Sequence, residues 1–319
     1  MPGDPLYPGL VRPGAIGLSR RRTDPDRKSM MRYLTTLALA LVCAVSTLAP
    51  GAAAQESRSA ADVSTVAHRG ARFVAPENTL TAIRAALDRG ADMVELDVQR
   101  SKDGRLVLMH DQDLRRTTNV ERVFPRRASY DVAAFTYRDM RRLDAGRWKR
   151  DKYAGERIPT LKQAVRLLQR RRAGLVVELK SPVLYPGLGF EVSAALRQVD
   201  GYLGWAVRRD KLVVQSFDFE VARAFKDLEP RVPVALLGTP AVADLPEFAQ
   251  WADEISARHK TVDAGYVAAV HAAGMRCSVW TVDTAENMNA ALENGVDAVV
   301  TNKPDLLGRV IQRRAAAGL

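Results

Sequence analysis

Short apolar runs alternate with amphipathic segments along most of this chain. Nine runs read as strands: "STVAH" (64–68), "DMVELDV" (92–98), "RLVLMH" (105–110), "LVVELK" (175–180), "LVVQSF" (212–217), "VPVALLG" (232–238), "EISARH" (254–259), "RCSVWTV" (276–282) and "DAVVTN" (297–302). They are rich in Val and Leu and mostly lack in/out alternation, which suits strands buried on both faces of a parallel sheet. The spacing predicts helices over 79–89, 161–172, 219–228, 263–273, 284–293 and 304–316. Thr284 sits where a helix should be capped, and Gly174, Gly274 and Gly295 where helices should stop. Strands and helices at this rhythm predict an α/β fold, a (β/α)8 TIM barrel. Nine segments are one too many for eight places. Asp103-Gly104 is a hairpin signal, and the link between 92–98 and 105–110 is too short for a parallel crossover. The run 105–110 is therefore expected to fold back antiparallel, with His110 across from Asp97.

Residues 112–157 break the rhythm with thirteen Lys or Arg and seven acids. So long an interruption after the His110 strand reads as a lid or small subdomain, with a plain solvated insertion as the alternative. The first 54 residues stand apart. A basic start at Met30-Met31-Arg32, the apolar "YLTTLALALVCAVSTLAP" and the step "GAAAQES" compose a secretory signal peptide, with cleavage expected after Ala54. Residues 1–29 make a long leader, so translation is expected to start at Met30 or Met31. "SRRRTD" (19–24) lies too far from the apolar core for a twin-arginine signal. That core is short for a membrane span, so the expectation is a secreted protein with no stable span.

Residues 55–319 then form one barrel domain. Of two cysteines, Cys43 falls in the signal, in a poor context for lipidation, and Cys277 remains, so no internal disulfide forms. The domain carries 41 Lys and Arg against 34 Asp and Glu. That excess fits either an Arg-rich soluble surface or attraction to anionic substrates. No platform interleaves aromatic and basic residues, which argues against nucleic acid as a partner. The sequence sets no oligomeric state.

A barrel gathers its active site at the C-terminal ends of its strands. Those ends deliver His68 and Arg69, Glu95 and Asp97, His110 and Asp111, Glu178 and Lys180, then Gln215 and Trp280. Glu95 and Asp97 are two apart on a strand and share a face, as do Glu178 and Lys180. Charges pointing into a barrel are costly unless paired or metal-bound. A Glu178–Lys180 or Asp97–Arg69 salt bridge leaves carboxylates over, whereas Glu95, Asp97 and Glu178 compose a hard oxygen site for Ca²⁺ or Mg²⁺. Adding His68 and His110 gives a constellation suited to cleaving a phosphate ester, one imidazole acting as base and the other as acid. His271 lies in an amphipathic helix and reads as packing or surface. His259 ends a strand and stays open as a mouth residue, and so does Glu77.

In this order, "AHRG" with "PENT", "VELDVQRSKDGRLVLMHD", "VVELK", "VVQSF", "SVWTVD" and "GVDAVVTNKPD" resemble the glycerophosphodiester phosphodiesterase family. The resemblance spans about residues 65–305. It implies a TIM barrel, a divalent metal and hydrolysis of a small-molecule glycerophosphodiester to sn-glycerol 3-phosphate and an alcohol. It further implies that His68 and His110 are the acid–base pair, that Glu95, Asp97 and Glu178 bind the metal, that Arg69 and Lys180 bind phosphate, and that Trp280 walls the pocket. The glycerol 2-hydroxyl would attack phosphorus to give a cyclic phosphate that water opens. Two positions depart from the pattern: Asp283, where the family more often has Asn, and Asn302, where it more often has Asp. Two other readings remain. A sphingomyelinase D-like, phospholipase D-like enzyme on intact lipids would want an apolar rim. A non-catalytic surface binder would be expected to lose a histidine or carboxylate, and none is lost.

Overall fold

Val-rich runs without alternation can be buried on both faces only if something covers each side, and here a closed sheet inside a ring of helices does so. The computed structural model describes residues 62–318; the expected leader, the Ala54 cleavage step and Cys43 lie outside them. The strands are β1 (Ser64–Ala67), β2 (Met93–Arg100), β3 (Leu106–Leu108), β4 (Gly174–Leu179), β5 (Leu212–Ser216), β6 (Val234–Leu237), β7 (Glu254–Arg258), β8 (Arg276–Trp280) and β9 (Ala298–Thr301). Their order is β1-β9-β8-β7-β6-β5-β4-β2-β3, and a further β1–β2 pairing closes the ring. Eight strands are thus a parallel (β/α)8 barrel, and β3 is the extra strand, antiparallel to β2.

The hairpin forms one register step from the expected pairing. Val98 pairs with Leu108, and the Met109 amide donates to the Asp97 carbonyl at 3.0 Å. Met109, not His110, therefore opposes Asp97. Ser101 still pairs with Arg105, through an amide bond of 2.9 Å. The turn thus takes three residues, Lys102, Asp103 and the left-handed Gly104 (φ +77°), rather than two.

Side-chain parity divides the barrel. Val94, Leu96 and Val98 of β2, like Leu175, Val177 and Leu179 of β4, face outward into the main core with Ile83, Leu161 and Leu168 of the helices. Val66, Met93, Val176, Val213, Ala235 and Val300 point inward and pack together as an apolar floor. Gly174 is required beside this floor, because a Cβ there would lie 2.5 Å from Met93 Cγ. On the N-terminal side, Ser278 Oγ donates to Glu254 Oε1 at 2.5 Å. What remains inside, on the C-terminal side, is the site.

The predicted helices form with their caps. Thr79 caps Leu80–Leu87 and Thr284 caps Ala285–Glu293, while Thr160 and Gln163 make a reciprocal capping box on Leu161–Arg171. Among the described residues, two helices longer than a single turn were not expected, Leu188–Arg197 and Tyr202–Arg208. Their approach, "SPVLYPGLG", reads as loop, yet Leu188, Val192 and Leu196 recur at four-residue spacing and are all buried. Among the described residues no helix is long and apolar enough to cross a membrane.

The basic segment 112–157 is a built subdomain rather than a solvated loop. Leu114, Val120, Val132, Phe135, Met140, Leu143 and Ile158 form a second core with Val107 and Met109. Phe135 is fully buried and meets Phe124 edge-on at 5.3 Å. Arg127 lies over the Phe135 ring at 4.5 Å, so part of the positive charge is spent on aromatic faces. Phe135→Ala is expected to cost about 3–5 kcal/mol, read from denaturant unfolding. A loss under ~1 kcal/mol would show that the segment does not pack as a cooperative part of the domain.

Candidate active site

The chain leaves β1 through two successive left-handed residues, Arg69 (φ +53°) and Gly70 (φ +81°). Gly70 is needed twice over, since a Cβ on it would lie 2.6 Å from Ala82 Cβ. This turn aims the Arg69 amide at Glu95 Oε2 (2.9 Å). It also aims the guanidinium at Glu77 Oε1 (3.0 Å) and Asp97 Oδ2 (3.4 Å).

Glu95 and Asp97 of β2 and Glu178 of β4 point into the barrel mouth and are buried. One carboxylate oxygen from each falls within 4.8 Å of the others. Both salt bridges weighed from the sequence form. Lys180 Nζ sits 2.7 Å from Glu178 Oε1 and 3.5 Å from Asp97 Oδ1. They do not use up the cluster, because buried Glu95 Oε1 and Asp97 Oδ1 have no hydrogen-bond partner. Burial first, then the charges of Asp97 and Glu178, pushes Glu95 well above the ordinary carboxylate range. Burial and Asp97 likewise raise Glu178 to about 7. Burial works on Asp97 too, but Arg69, then Lys180, more than offsets it and holds that group low. Three hard oxygen donors crowded out of water, two with spare acceptor oxygens, fit a divalent cation of the Ca²⁺ or Mg²⁺ type.

The two histidines face each other's chemistry from different supports. His68 Nδ1 lies 2.9 Å from Asn302 Oδ1. His110 Nδ1 lies 2.6 Å from Asp111 Oδ1. Burial, followed by the Arg69 charge, pulls His68 down to about 4. Burial also lowers His110, against the opposing pull of Asp97. Burial thus draws both imidazoles toward the neutral form, while the Asp97 and Asp111 carboxylates near His110 work to keep a proton on that ring.

One cleft of about 460 Å³, its open mouth included, is lined by His68, Arg69, Glu95, His110, Glu178 and Lys180 together with Gln215, Phe217, Leu237 and Trp280. Trp280 Nε1 donates to the Ser256 carbonyl at 2.9 Å, and Phe217 meets the Trp280 ring edge-on at 5.7 Å. All eight residues singled out from the sequence thus converge, Asp97 from beneath. His259 does not. β7 ends at Arg258, and His259 begins a short 3₁₀ turn that lines a separate cavity with Val262 and Asn287. His271 pairs with Asp297 at 2.8 Å.

Three supports escaped sequence reasoning. Asn78 looked like part of a helix start. In a left-handed conformation (φ +57°) it instead donates Nδ2 to Asp97 Oδ2 at 2.8 Å. Gln99 is fully buried, and its Nε2 donates to the carbonyls of Met109 (2.7 Å), His110 (3.2 Å) and Asp111 (2.7 Å). A polar residue amid a strand's inward face was the available signal. Arg116 joins the insertion to the site through Glu77 Oε1 (2.6 Å) and Asp111 Oδ2 (2.5 Å). Glu77 thus answers to Arg69, Arg72 and Arg116 at once and lines no part of the cleft.

Comparison with known proteins gives these residues a context. The family model described as the glycerophosphoryl diester phosphodiesterase family matches residues 68–306. The chain is 32% identical over 300 residues to a glycerophosphodiester phosphodiesterase of Bacillus subtilis, covering 89% of this chain and 98% of that protein. It is 32% identical over 251 residues to one of Caldanaerobacter subterraneus, covering 78% and 97%. Among solved structures it is similar to an Oleispira antarctica phosphodiesterase in complex with the product sn-glycerol-3-phosphate. That match has a TM-score of 0.69 and 26% identity, and covers 80% of this chain and 100% of the other.

The Glu77 cluster makes a checkable stability claim. Burial opposes its ionisation, but Arg116, Arg69 and Arg72 hold its carboxyl well below the ordinary 4.5. Its contribution is full above that value and drains away as pH falls toward the depressed folded value. Glu77→Gln is expected to lose about 3 kcal/mol at pH 7. The gap to the parent protein should narrow steadily below pH ~4.5 in urea titrations. A gap that stays constant down to pH ~2.5 would contradict the assignment.

Proposed function

The chain belongs to the glycerophosphoryl diester phosphodiesterase family and is a phosphoric diester hydrolase, and we propose that it cleaves glycerophosphodiesters to sn-glycerol 3-phosphate and an alcohol by acid–base catalysis from His68 and His110. The observation that carries this reading is the convergence of two imidazoles, two cationic side chains and three buried carboxylates on one site. Glu95, Asp97 and Glu178 would hold Ca²⁺ or Mg²⁺, which when bound draws charge from the phosphate and eases ionisation of a nearby hydroxyl.

The residues divide the remaining work. Arg69 and Lys180 bind non-bridging phosphate oxygens. The Nδ1 of His68 is taken by Asn302, so Nε2 is free to accept the proton of the glycerol 2-hydroxyl. The 2-oxygen attacks phosphorus, the bond to the alcohol oxygen breaks, and a cyclic phosphate forms. His110, whose Nδ1–H is held by the Asp111 carboxylate, enters the step as the imidazolium and gives its Nε2 proton to the departing alkoxide. In the second half His110 takes a proton from water, the hydroxide opens the ring, and His68 returns its proton to the 2-oxygen. Trp280 and Phe217 wall the glycerol carbons. The composition of residues 1–54 supports export of the domain.

A second reading keeps the chemistry and shifts the substrate to intact lipids. One observation favours it. Of seven exposed large apolar side chains among the described residues, five (Phe73, Val183, Leu184, Phe217 and Val242) lie on loops or short turns that follow β1, β4, β5 and β6. Product analysis separates the readings: choline released from glycerophosphocholine supports the first, and choline from sphingomyelin alone supports the second.

His68→Ala and His110→Ala are each expected to lower kcat at least ~10²-fold with an unchanged melting temperature. Ordinary turnover in either variant would sink the mechanism. EDTA should abolish activity and Ca²⁺ or Mg²⁺ restore it, in a coupled glycerol 3-phosphate assay. Full activity in metal-free protein would refute the cation site.

A further inference from the structure

Asp283 and Asn302, read from the resemblance as departures from the family pattern, come together behind His68. Asn302 Oδ1 lies 2.9 Å from His68 Nδ1. Its Nδ2 donates to Asp283 Oδ2 at 2.5 Å. The other Asp283 oxygen accepts from the Asn302 amide at 2.8 Å and from Thr301 Oγ1 at 3.2 Å. β9 also anchors the histidine's own backbone, because the His68 amide donates to the Thr301 carbonyl at 2.9 Å.

The chemistry of these groups leaves one arrangement. An ionised carboxylate only accepts, so the amide end that faces Asp283 must be the NH₂. The end that faces His68 is then the carbonyl oxygen, which also only accepts. His68 Nδ1 must therefore carry the proton, and Nε2 must carry the lone pair. We propose that Asp283 and Asn302 are positioning residues that lock His68 in the Nδ1–H tautomer, with Nε2 presented to the cleft as the base. The inference rests on the assignment of His68 as the base and says what makes it one.

The arrangement also separates the two histidines by function. His110 touches a carboxylate directly, whereas His68 meets its carboxylate only through a neutral amide. The amide fixes geometry without supplying a counter-charge to an imidazolium. Exchanging the two side chains would put a carboxylate against His68 and the amide behind it. Either single change instead sets like against like: Asp283→Asn pairs two amides, and Asn302→Asp pairs two carboxylates.

Long-range ¹H–¹⁵N spectra of the protein labelled at its histidine ring nitrogens read the tautomer directly. The expected result is His68 protonated on Nδ1 in the parent protein. A mixed or reversed tautomer is expected in Asp283→Asn, together with at least a tenfold fall in kcat at a KM within about twofold. The double variant Asp283→Asn/Asn302→Asp is expected to regain the Nδ1–H tautomer and to exceed either single variant in kcat. An Nε2–H tautomer in the parent protein would overturn the proposal, and so would a double variant no better than the worse single one. The spectrum needs no turnover. If His68→Ala stayed active, the base assignment would fall on its own, while the tautomer would still decide the role of the pair.

Discussion

The whole site follows from one geometric constraint: on a strand, residues two apart share a face. In β2 that rule sends Val94, Leu96 and Val98 into the helical layer and Met93, Glu95 and Asp97 into the barrel. In β4 it pairs inward Val176 with inward Glu178. A closed barrel has no solvent on that inner face, so the same parity that builds an apolar floor drives carboxylates together above it. Arg69 and Lys180 relieve only part of that crowding, since Glu95 Oε1 and Asp97 Oδ1 still accept no hydrogen bond. Fold and chemistry are here two readings of one alternation.

What was legible in the sequence was whatever depends on periodicity and strand ends. The barrel, its helix caps and the eight site residues follow from those patterns, since each is carried by a regular element. What was illegible depends on side chains reaching across chain distance. Asn78 reads locally as a helix approach, yet its amide holds Asp97; Gln99 reads as one polar residue in a strand, yet it clasps three carbonyls of the His110 segment. The one-residue error in the β2–β3 register arose because Asp103-Gly104 sits inside a three-residue turn, a choice that dipeptide alone does not disclose. The helix at Leu188–Arg197 was hidden by the Pro and Gly before it.

The insertion and the first loop are built as one support. Glu77 draws arginines from both, Tyr153 of the insertion donates to the Val74 carbonyl at 2.6 Å, and Glu156 accepts from Thr81. Sequence charge alone portrayed the insertion as a basic surface. Arg115, Arg116, Arg127, Arg142 and Arg147 instead sit on carboxylates or aromatic rings, while Arg122, Arg126, Arg138, Arg141 and Arg150 are exposed. Composition therefore does not tell which of the segment's charges are spent inside it and which face solvent.

The apolar floor of Val66, Met93, Val176, Val213, Ala235 and Val300 lies between the carboxylates and the polar cluster at the other end of the barrel. A vessel sealed below has one door. In the reaction proposed above, the alcohol, the water and the phosphorylated product would all pass the same rim of Phe217 and Trp280 in turn. Exchange through that rim would then join the chemistry beneath it in setting the rate of the proposed reaction.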